Sequence, residues 1–282
     1  MRSARGAALV LVMWLVALLT ALVGAYAMTA RVEHMQGRVI SRGLAAEQAA
    51  RAGLEYALTR LADPQPDLQW LADGRPYAWR FGPAQVEVRI VDEAAKVDLN
   101  AADPALLEAL FQVVGAEPDG ARQVAAAIVD WRDEDPLTQP SGGAEDPDYA
   151  QAGLPYGAKD APFETVAEVE QVLGMTPALF RAVAEHLTVH SGQSQPDQLF
   201  ASGPVLQASG IDPEPILAQR AQGTQPDSAL VGGGSGTYSI DSRARLSDGR
   251  QAVLRAVVRA GGSGVPGTAY TTLRWEEGAT PR

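Results

Sequence analysis

The chain contains no cysteine among its 282 residues. This absence excludes a disulfide framework, a thiolate zinc site and a cysteine nucleophile. The three histidines are scattered and do not suggest a zinc site. Ser41, Ser141 and Ser202 lack the G-x-S-x-G context of a nucleophile elbow, so a serine hydrolase is not indicated.

Positive charge is scarce in the central part of the chain. The net charge is -11, and residues 92–185 carry 19 Asp and Glu against 5 Lys and Arg. Such a stretch repels phosphate, so we expect a cation rather than nucleic acid as a partner. Apolar residues make up 46% of the sequence, which is typical of a folded protein with a sizeable core.

The N-terminal region lacks charge from Ala7 to Ala30, a run of 24 residues. About 20 helical residues cross a hydrocarbon core, whereas the apolar core of a secretory signal peptide is about 7–15 residues. The composition then stays helix-forming as far as Pro64. We therefore predict a membrane helix that continues into a solvent helix. Arg2 and Arg5 favour a cytoplasmic N-terminus, with the acidic domain outside.

Strand patterns occur on both sides of a helical region. Val86, Val88 and Ile90 alternate with polar residues, the two-residue period of a half-buried strand. Asp248-Gly249 is a strong hairpin signal. The predicted strands are Tyr77 to Phe81, Gln85 to Val91, Thr237 to Leu246, Gln251 to Ala260 and Thr271 to Glu276.

Helical periodicity begins at Val97. Four short helices are predicted, followed by a helical hairpin whose sequence is a degenerate repeat of the first, and then by a linker at 223–236. The predicted helices are about 104–115, 121–131, 165–174 and 177–187, then a hairpin at 204–220. The fold class is therefore α+β: a long N-terminal helix packs on a small antiparallel sheet that a large all-α insertion of helical hairpins interrupts.

An acidic segment, DWRDEDPLTQPSGGAEDPD, follows the second helix. It places seven carboxylates between Asp130 and Asp148, with only Arg132 as local positive charge. Carboxylates on an irregular backbone suit calcium, although the spacing is not that of an EF-hand. The alternative is a solvated acidic loop. Trp131, Tyr149 and Tyr156 favour a loop that packs against the domain.

The N-terminus resembles a type IV prepilin leader: a short basic segment, a glycine and a long uncharged run. The resemblance implies cleavage by a prepilin peptidase between Gly6 and Ala7, followed by methylation of Ala7. The fifth mature position normally carries Glu, and here it is Leu11. Within that family, lack of this carboxylate marks the K-type minor pseudopilin of type II secretion. An ordinary signal anchor is the alternative.

The run VDLNAAD, DWRDED, GAEDPDY, PYGAKDAPFETVAEV and VLGM resembles the helical insertion of K-type pseudopilins, the general secretion pathway protein K family. With the leader and the flanking strands, the resemblance covers nearly the whole chain. It implies a calcium-binding insertion. The implied ligands are Asp133, Asp135, Glu145, Asp146 and Asp148.

The resemblance also implies the function. We expect a non-enzymatic minor pseudopilin at the tip of the type II secretion pseudopilus, assisting the export of folded proteins across the outer membrane. The implied partners are I- and J-type minor pseudopilins, and the implied place is the bacterial inner membrane, single-pass, with the C-terminal domain in the periplasm. Two alternatives stay open: an anchored helix-hairpin-helix DNA-uptake protein and an anchored periplasmic hydrolase.

The expected organisation has five parts. They are a leader at 1–6, the N-terminal helix at 7–63, the first sheet segment at 64–96, the helical insertion at 97–235 and the C-terminal strands at 236–282.

Overall fold

The structure is a computed structural model that describes residues 4–221, 234–261 and 269–278, without the side chains of residues 4–8, 38–40 and 66. The predicted linker at 223–236 lies outside the described residues, apart from its last three positions.

The N-terminal helix α1 spans Ala4–Leu61 without a break. Its 58 residues correspond to roughly 87 Å at 1.5 Å per residue. Its most apolar window has a mean hydropathy of 2.4 and is entirely exposed, so by length and composition this helix can cross a membrane. Further along, Ala46, Ala49, Ala50 and Leu54 are buried. The predicted continuous helix is confirmed.

Five strands form an antiparallel sheet against the second half of α1. They are β1 (Asp73–Phe81), β2 (Ala84–Asp92), β5 (Thr237–Arg245), β6 (Gln251–Ala260) and β7 (Tyr270–Glu277). Their spatial order is β1-β2-β5-β6-β7. All five predicted strands are present, and β1 begins four residues before its predicted start at Tyr77. Gly249 closes the β5–β6 hairpin with φ +86°.

The regular elements in the described part of the segment between β2 and β5 are mostly short helices. Its elements are β3 (Val97–Asp98), α2 (Pro104–Val113), α3 (Pro118–Arg132), α4 (Asp146–Gln151), α5 (Pro177–Val183), β4 (Leu187–Thr188), α6 (Gly203–Ala208) and α7 (Pro213–Ala221). The predicted second hairpin is confirmed as α6 and α7. Because β2 and β5 are neighbours in the sheet, this segment is an insertion within it.

Two helical predictions in the insertion were wrong in detail, and one short strand pair was missed. The first helix begins at Pro104 as predicted, but Val97, where the helical period was placed, belongs to β3, which pairs in parallel with β4. The helix predicted at 165–174 is a 3-10 helix, Val166–Gln171. The helix predicted at 177–187 ends at Val183, and a 3-10 turn leads into β4. Apolar periodicity alone does not distinguish a 3-10 turn, or a two-residue strand, from an α-helix.

The sheet and the insertion have separate hydrophobic cores. Buried polar contacts join the two at the end of β2. Glu93 accepts a hydrogen bond from Lys96 Nζ at 2.6 Å, and it is also bonded to Thr188 of β4 and Ser239 of β5. Asp92 accepts a hydrogen bond from Ser235 Oγ at 2.6 Å. These carboxylates fix the insertion to the sheet.

Candidate metal centre

The end of α3 positions two carboxylates. Asp130 lies in the last turn, with no exposed surface, and Trp131 beside it is 4% exposed. Asp133 follows the helix as its C-cap, and its N–H donates to Val129 O at 3.0 Å. Three residues apart, Asp130 and Asp133 lie on one side of the helix end.

A third carboxylate comes from the start of α4. Glu145 is the N-cap residue of this helix and is 4% exposed. Its backbone N–H donates to Asp148 Oδ2 at 2.9 Å, as in a capping box. The side chain of Asp148 is therefore used to begin α4.

Asp130, Asp133 and Glu145 converge. One carboxylate oxygen of each lies within 4.8 Å of the others. Asp133 Oδ1 and Glu145 Oε1 are buried and have no hydrogen-bond partner among the described residues. Buried acceptors without a partner are costly, so the arrangement calls for a positive group.

The electrostatics of this acidic cluster, Asp130, Asp133 and Glu145, are unfavourable without such a group. Burial, with the nearby charges of Asp130 and Asp160, raises the pKa of Glu145 to about 7. Burial raises the pKa of Asp130, and burial together with the charge of Asp135 raises that of Asp133. Each shift has the sign expected for carboxylates that are buried close together.

Arg132 lowers the pKa of Asp133 through its charge, but among the described residues it forms no ion pair with the cluster. Arg132 donates to the backbone oxygen of Leu99 and, at 2.8 Å, to that of Ala102. Its guanidinium is therefore hydrogen-bonded to backbone carbonyls at the start of the insertion. The positive charge of Arg132 therefore serves to connect the end of α3 to the start of the insertion.

The loop between α3 and α4 passes close to the cluster. At Gly143 a Cβ would lie 1.9 Å from Asp130 Oδ2, so only glycine fits there. Asp160 adopts a φ of +52°, which is uncommon for a residue other than glycine, and its charge acts on both Glu145 and Asp133. It adds a fourth negative charge near this site, although it is not one of the three converging carboxylates.

The predicted ligands separate into two groups. Asp133 and Glu145 come together, and Asp130, which the prediction left out, joins them. Asp135 instead accepts from Leu137 N at 3.0 Å in an exposed turn. Asp146 opens α4 and lies against Gly157, and Asp148 caps the helix. The segment is thus not one irregular loop, since both of its ends are helical.

The aromatic residues of the segment pack as predicted. The ring centroids of Trp131 and Tyr149 are 5.9 Å apart, and those of Tyr149 and Tyr156 are 5.7 Å apart. Tyr149 is fully buried. The acidic segment is therefore packed against the domain through these rings.

The cluster fits calcium. Its donors are hard carboxylate oxygens, two of them buried without a partner, on a backbone that approaches closely at Gly143. Calcium takes 6–8 oxygen ligands, often including backbone carbonyls. Thiolate or imidazole donors, which zinc prefers, are not part of the cluster.

The other sequence-predicted positions lie on α1. The Gly6–Ala7 peptide belongs to this helix. Leu11 is 68% exposed, on the apolar stretch that is not buried against any other described part of the chain.

Two further groups bear on the open alternatives. Ser202 Oγ lies 3.1 Å from His186 Nδ1, a contact the sequence did not suggest, but His186 Nε2 lies 3.8 Å from Glu185 Oε1, too far for the hydrogen bond that orients a catalytic base. At the α2–α3 turn, Glu117 and Asp119 are exposed. Acidic side chains there oppose a phosphate backbone.

Comparison with known proteins decides the family. The family model described as "Type II secretion system (T2SS), protein K" matches residues 86–192. The type II secretion system protein K of Klebsiella pneumoniae is 30% identical over 227 residues, which are 69% of this chain and 68% of that protein. The chain belongs to the type II secretion system protein K family. It is a minor pseudopilin of that type, as the leader and the insertion indicated.

Two other relatives agree with this assignment. The type II secretion system protein K of Pectobacterium carotovorum subsp. carotovorum is 25% identical over 129 residues, 44% of this K-type chain and 39% of that protein. A chain in the crystal structure of the GspK-GspI-GspJ complex from enterotoxigenic Escherichia coli matches with a TM-score of 0.60 and 17% identity, over 87% of this chain and 100% of that one. The predicted fold class is confirmed.

Proposed function

We propose that this chain is the tip subunit of a type II secretion pseudopilus, without enzymatic activity, and that it assists the export of folded proteins across the outer membrane. The observation that carries the proposal is Leu11. A carboxylate within the membrane is costly and is kept for a partner, which in pilins is the amine of the neighbouring subunit. With an apolar side chain at this position, the chain has no charge to offer a subunit stacked above it.

The anchor follows from α1. Prepilin peptidase would cut between Gly6 and Ala7, and Ala7 would become the methylated N-terminus. The exposed apolar stretch that follows would cross the inner membrane and leave the rest of the chain in the periplasm. We divide the chain into leader (1–6), helix (7–63), first sheet segment (64–96), insertion (97–235) and C-terminal strands (236–282).

The partners follow from the same helix. The solved relative was crystallised as a complex of GspK, GspI and GspJ. We propose that I- and J-type minor pseudopilins bind this chain too, through the exposed apolar stretch of α1. The helical insertion at the end of the sheet adds bulk above them, which would stop further growth.

Calcium completes the insertion in this proposal. Asp130, Asp133 and Glu145 would hold the ion, with the charge of Asp160 near the same site. The ion would neutralise carboxylates that otherwise repel one another, and thereby hold α4 against the end of α3. Its role would be structural, because the cluster lies inside the insertion and is surrounded by turns of the backbone and by aromatic side chains.

The absence of enzymatic activity is proposed from the site chemistry. Of the adjacent acids Glu145 and Asp146, which could act as an acid–base pair, Glu145 is buried in the cluster and Asp146 is exposed at the start of α4. An open groove between the α2–α3 turn and α5 is lined mainly by small and apolar residues, with Glu117 as its acidic residue. General acid–base catalysis needs a second titratable group in reach of a substrate, and this groove offers none.

Immunogold labelling tests the tip position. Pseudopili are lengthened by overproducing the major subunit, and this chain is labelled through an epitope in the α7 region. We expect gold at one end of each fibre. Gold along the fibres, or none on them, would contradict the proposal, and Leu11→Glu is the variant expected to move label into the fibre.

A further inference from the structure

The sheet has a second face, turned away from α1, that carries an excess of arginine. Side chains that alternate with the α1-facing ones make up this outer face. It holds seven arginines against four acidic residues, Asp73 opposite Val91 included, a net charge of +3, in a chain whose net charge is -11. Both lysines of the chain, Lys96 and Lys159, lie outside this face.

The excess is concentrated in one row. Arg80, Gln85, Arg245 and Gln251 lie side by side across four strands, and all four are exposed. Among the described residues, neither arginine of this Arg80/Arg245 row forms an ion pair with a carboxylate. The guanidinium groups are therefore available for a carboxylate from outside the chain.

A second row on the same face is different, and the row of Glu87, Arg243 and Val253 separates it from the first. Arg89, Asp241, Arg255 and Glu276 lie side by side with alternating charge. Arg255 Nε lies 3.0 Å from Asp241 Oδ2, and Arg243 Nε lies 2.9 Å from Asp241 Oδ1. These charges are largely paired within the sheet. In this they contrast with the Arg80/Arg245 row, whose arginines form no ion pair with a carboxylate among the described residues.

The place of the row excludes a membrane surface. Arg42 of α1 pairs with Asp248 of the β5–β6 hairpin at 2.9 Å, so this end of the sheet lies beside residue 42. From Ala30, where the uncharged run ends, to Arg42 is roughly 18 Å along the helix at 1.5 Å per residue. Charges screen over about 8 Å at physiological ionic strength, so lipid phosphates act weakly at that distance.

The shape of the row points to a protein. An exposed sheet face offers no enclosure for a small anion, and arginine is enriched where folded proteins meet. Subunits of the pseudopilus would pack through α1, on the opposite side of the sheet. We infer that the Arg80/Arg245 row docks the acidic surface of a folded protein outside the pseudopilus, which is an acidic protein in transit.

This inference rests on the proposed function. Its test uses a strain without the chain, complemented with the full-length wild type, with R80E/R245E or with R80Q/R245Q, and measures each extracellular protein by quantitative mass spectrometry. We expect acidic exported proteins to fall by at least about fivefold with R80E/R245E, and less with R80Q/R245Q, because steering is lost with charge. Exported proteins with basic isoelectric points should stay at the wild-type level.

The matched control is R122E/R181E, which makes the same charge change at exposed positions of the insertion. It should leave acidic exported proteins unchanged. Immunoblots and unfolding midpoints establish that every variant is folded and present. Equal losses of acidic and basic exported proteins would overturn the inference. They would mean that the Arg80/Arg245 row binds another subunit of the pseudopilus or a second copy of this chain. Unchanged export would overturn it too. If removing the chain leaves all export normal, the proposed function fails as well.

Discussion

Gly53 of α1 faces Ser242 of β5 so closely that a Cβ at position 53 would lie 2.3 Å from Ser242 Oγ and 2.7 Å from Val86 Cγ1. The backbone of the helix therefore packs directly on side chains of β2 and β5 at this point. Ser242 Oγ is itself buried without a hydrogen-bond partner among the described residues. This contact sets the distance between the anchor helix and the domain that it carries.

Gly53→Ala should destabilise the domain. Overpacking costs about 1–3 kcal/mol, which outweighs the gain of up to about 1 kcal/mol in helix propensity. Gly43→Ala is the matched control, because a Cβ there meets nothing within 4 Å, and it should be neutral or stabilising. Urea unfolding of the full chain in detergent, followed by tryptophan fluorescence, measures both. A stable Gly53→Ala variant would contradict the close contact.

Calcium should stabilise the insertion through the acidic cluster. Saturation at about 100 times the dissociation constant adds about 2.7 kcal/mol to the free energy of unfolding. Glu145→Gln and Asp130→Asn should remove most of this gain, whereas Asp135→Asn should keep it. Thermal unfolding of each variant, with calcium and with a chelator, shows whether the ion is held by the residues that converge in the structure or by Asp135, which was predicted from the sequence. A loss in Asp135→Asn equal to that in Glu145→Gln would contradict the cluster.

Without calcium, stability should fall as pH rises. Because the folded pKa of Glu145, about 7, exceeds that of an unfolded glutamate, about 4.3, the folded state binds more protons between these values. The free energy of unfolding should then decrease with a slope of up to about 1.4 kcal/mol per pH unit. Glu145→Gln and added calcium should each flatten the profile. A chelated wild type with no fall between pH 5 and 7 would contradict the raised pKa.

The Glu93–Lys96 pair should be essential for holding the insertion on the sheet. Glu93 is 2% exposed, and the charge of Lys96 helps to hold the pKa of Glu93 below its usual range against burial. Lys96→Ala leaves a buried carboxylate unpaired, at a cost of about 3–5 kcal/mol. Arg122→Ala removes exposed ion pairs and should cost less than about 1 kcal/mol. Chemical unfolding measures the loss in free energy of unfolding for both variants. Equal losses would contradict a buried Glu93–Lys96 pair that holds the insertion on the sheet.

Local patterns in the sequence were sufficient to predict the sheet. The alternation at Val86, Val88 and Ile90 and the Asp248-Gly249 turn are short-range signals, and both are present in the structure. The insertion was predicted by the change from a two-residue to a helical period after Asp92. Element ends were less accurate, because short 3-10 turns and the β3–β4 pair depend on contacts between distant parts of the chain.

The candidate site was only partly predictable. The acidic composition indicated a cation, but the selection of ligands depends on where α3 ends and α4 begins. Asp130 was left out because nothing in the sequence shows that the last turn of α3 faces Glu145. Asp148 was included among the predicted ligands, because the sequence does not show that its side chain accepts a hydrogen bond from the backbone N–H of Glu145 at the start of α4. Asp160 lies 12 residues further along and comes near the site only through the fold.

The most direct test of the whole account is mass spectrometry of the N-terminus of the chain isolated from membranes. We predict a mature chain that begins at Ala7 with a methylated amine, as expected for a pseudopilin processed at Gly6. A chain that retains Met1, or one cut near Ala25 to Ala30, would contradict it.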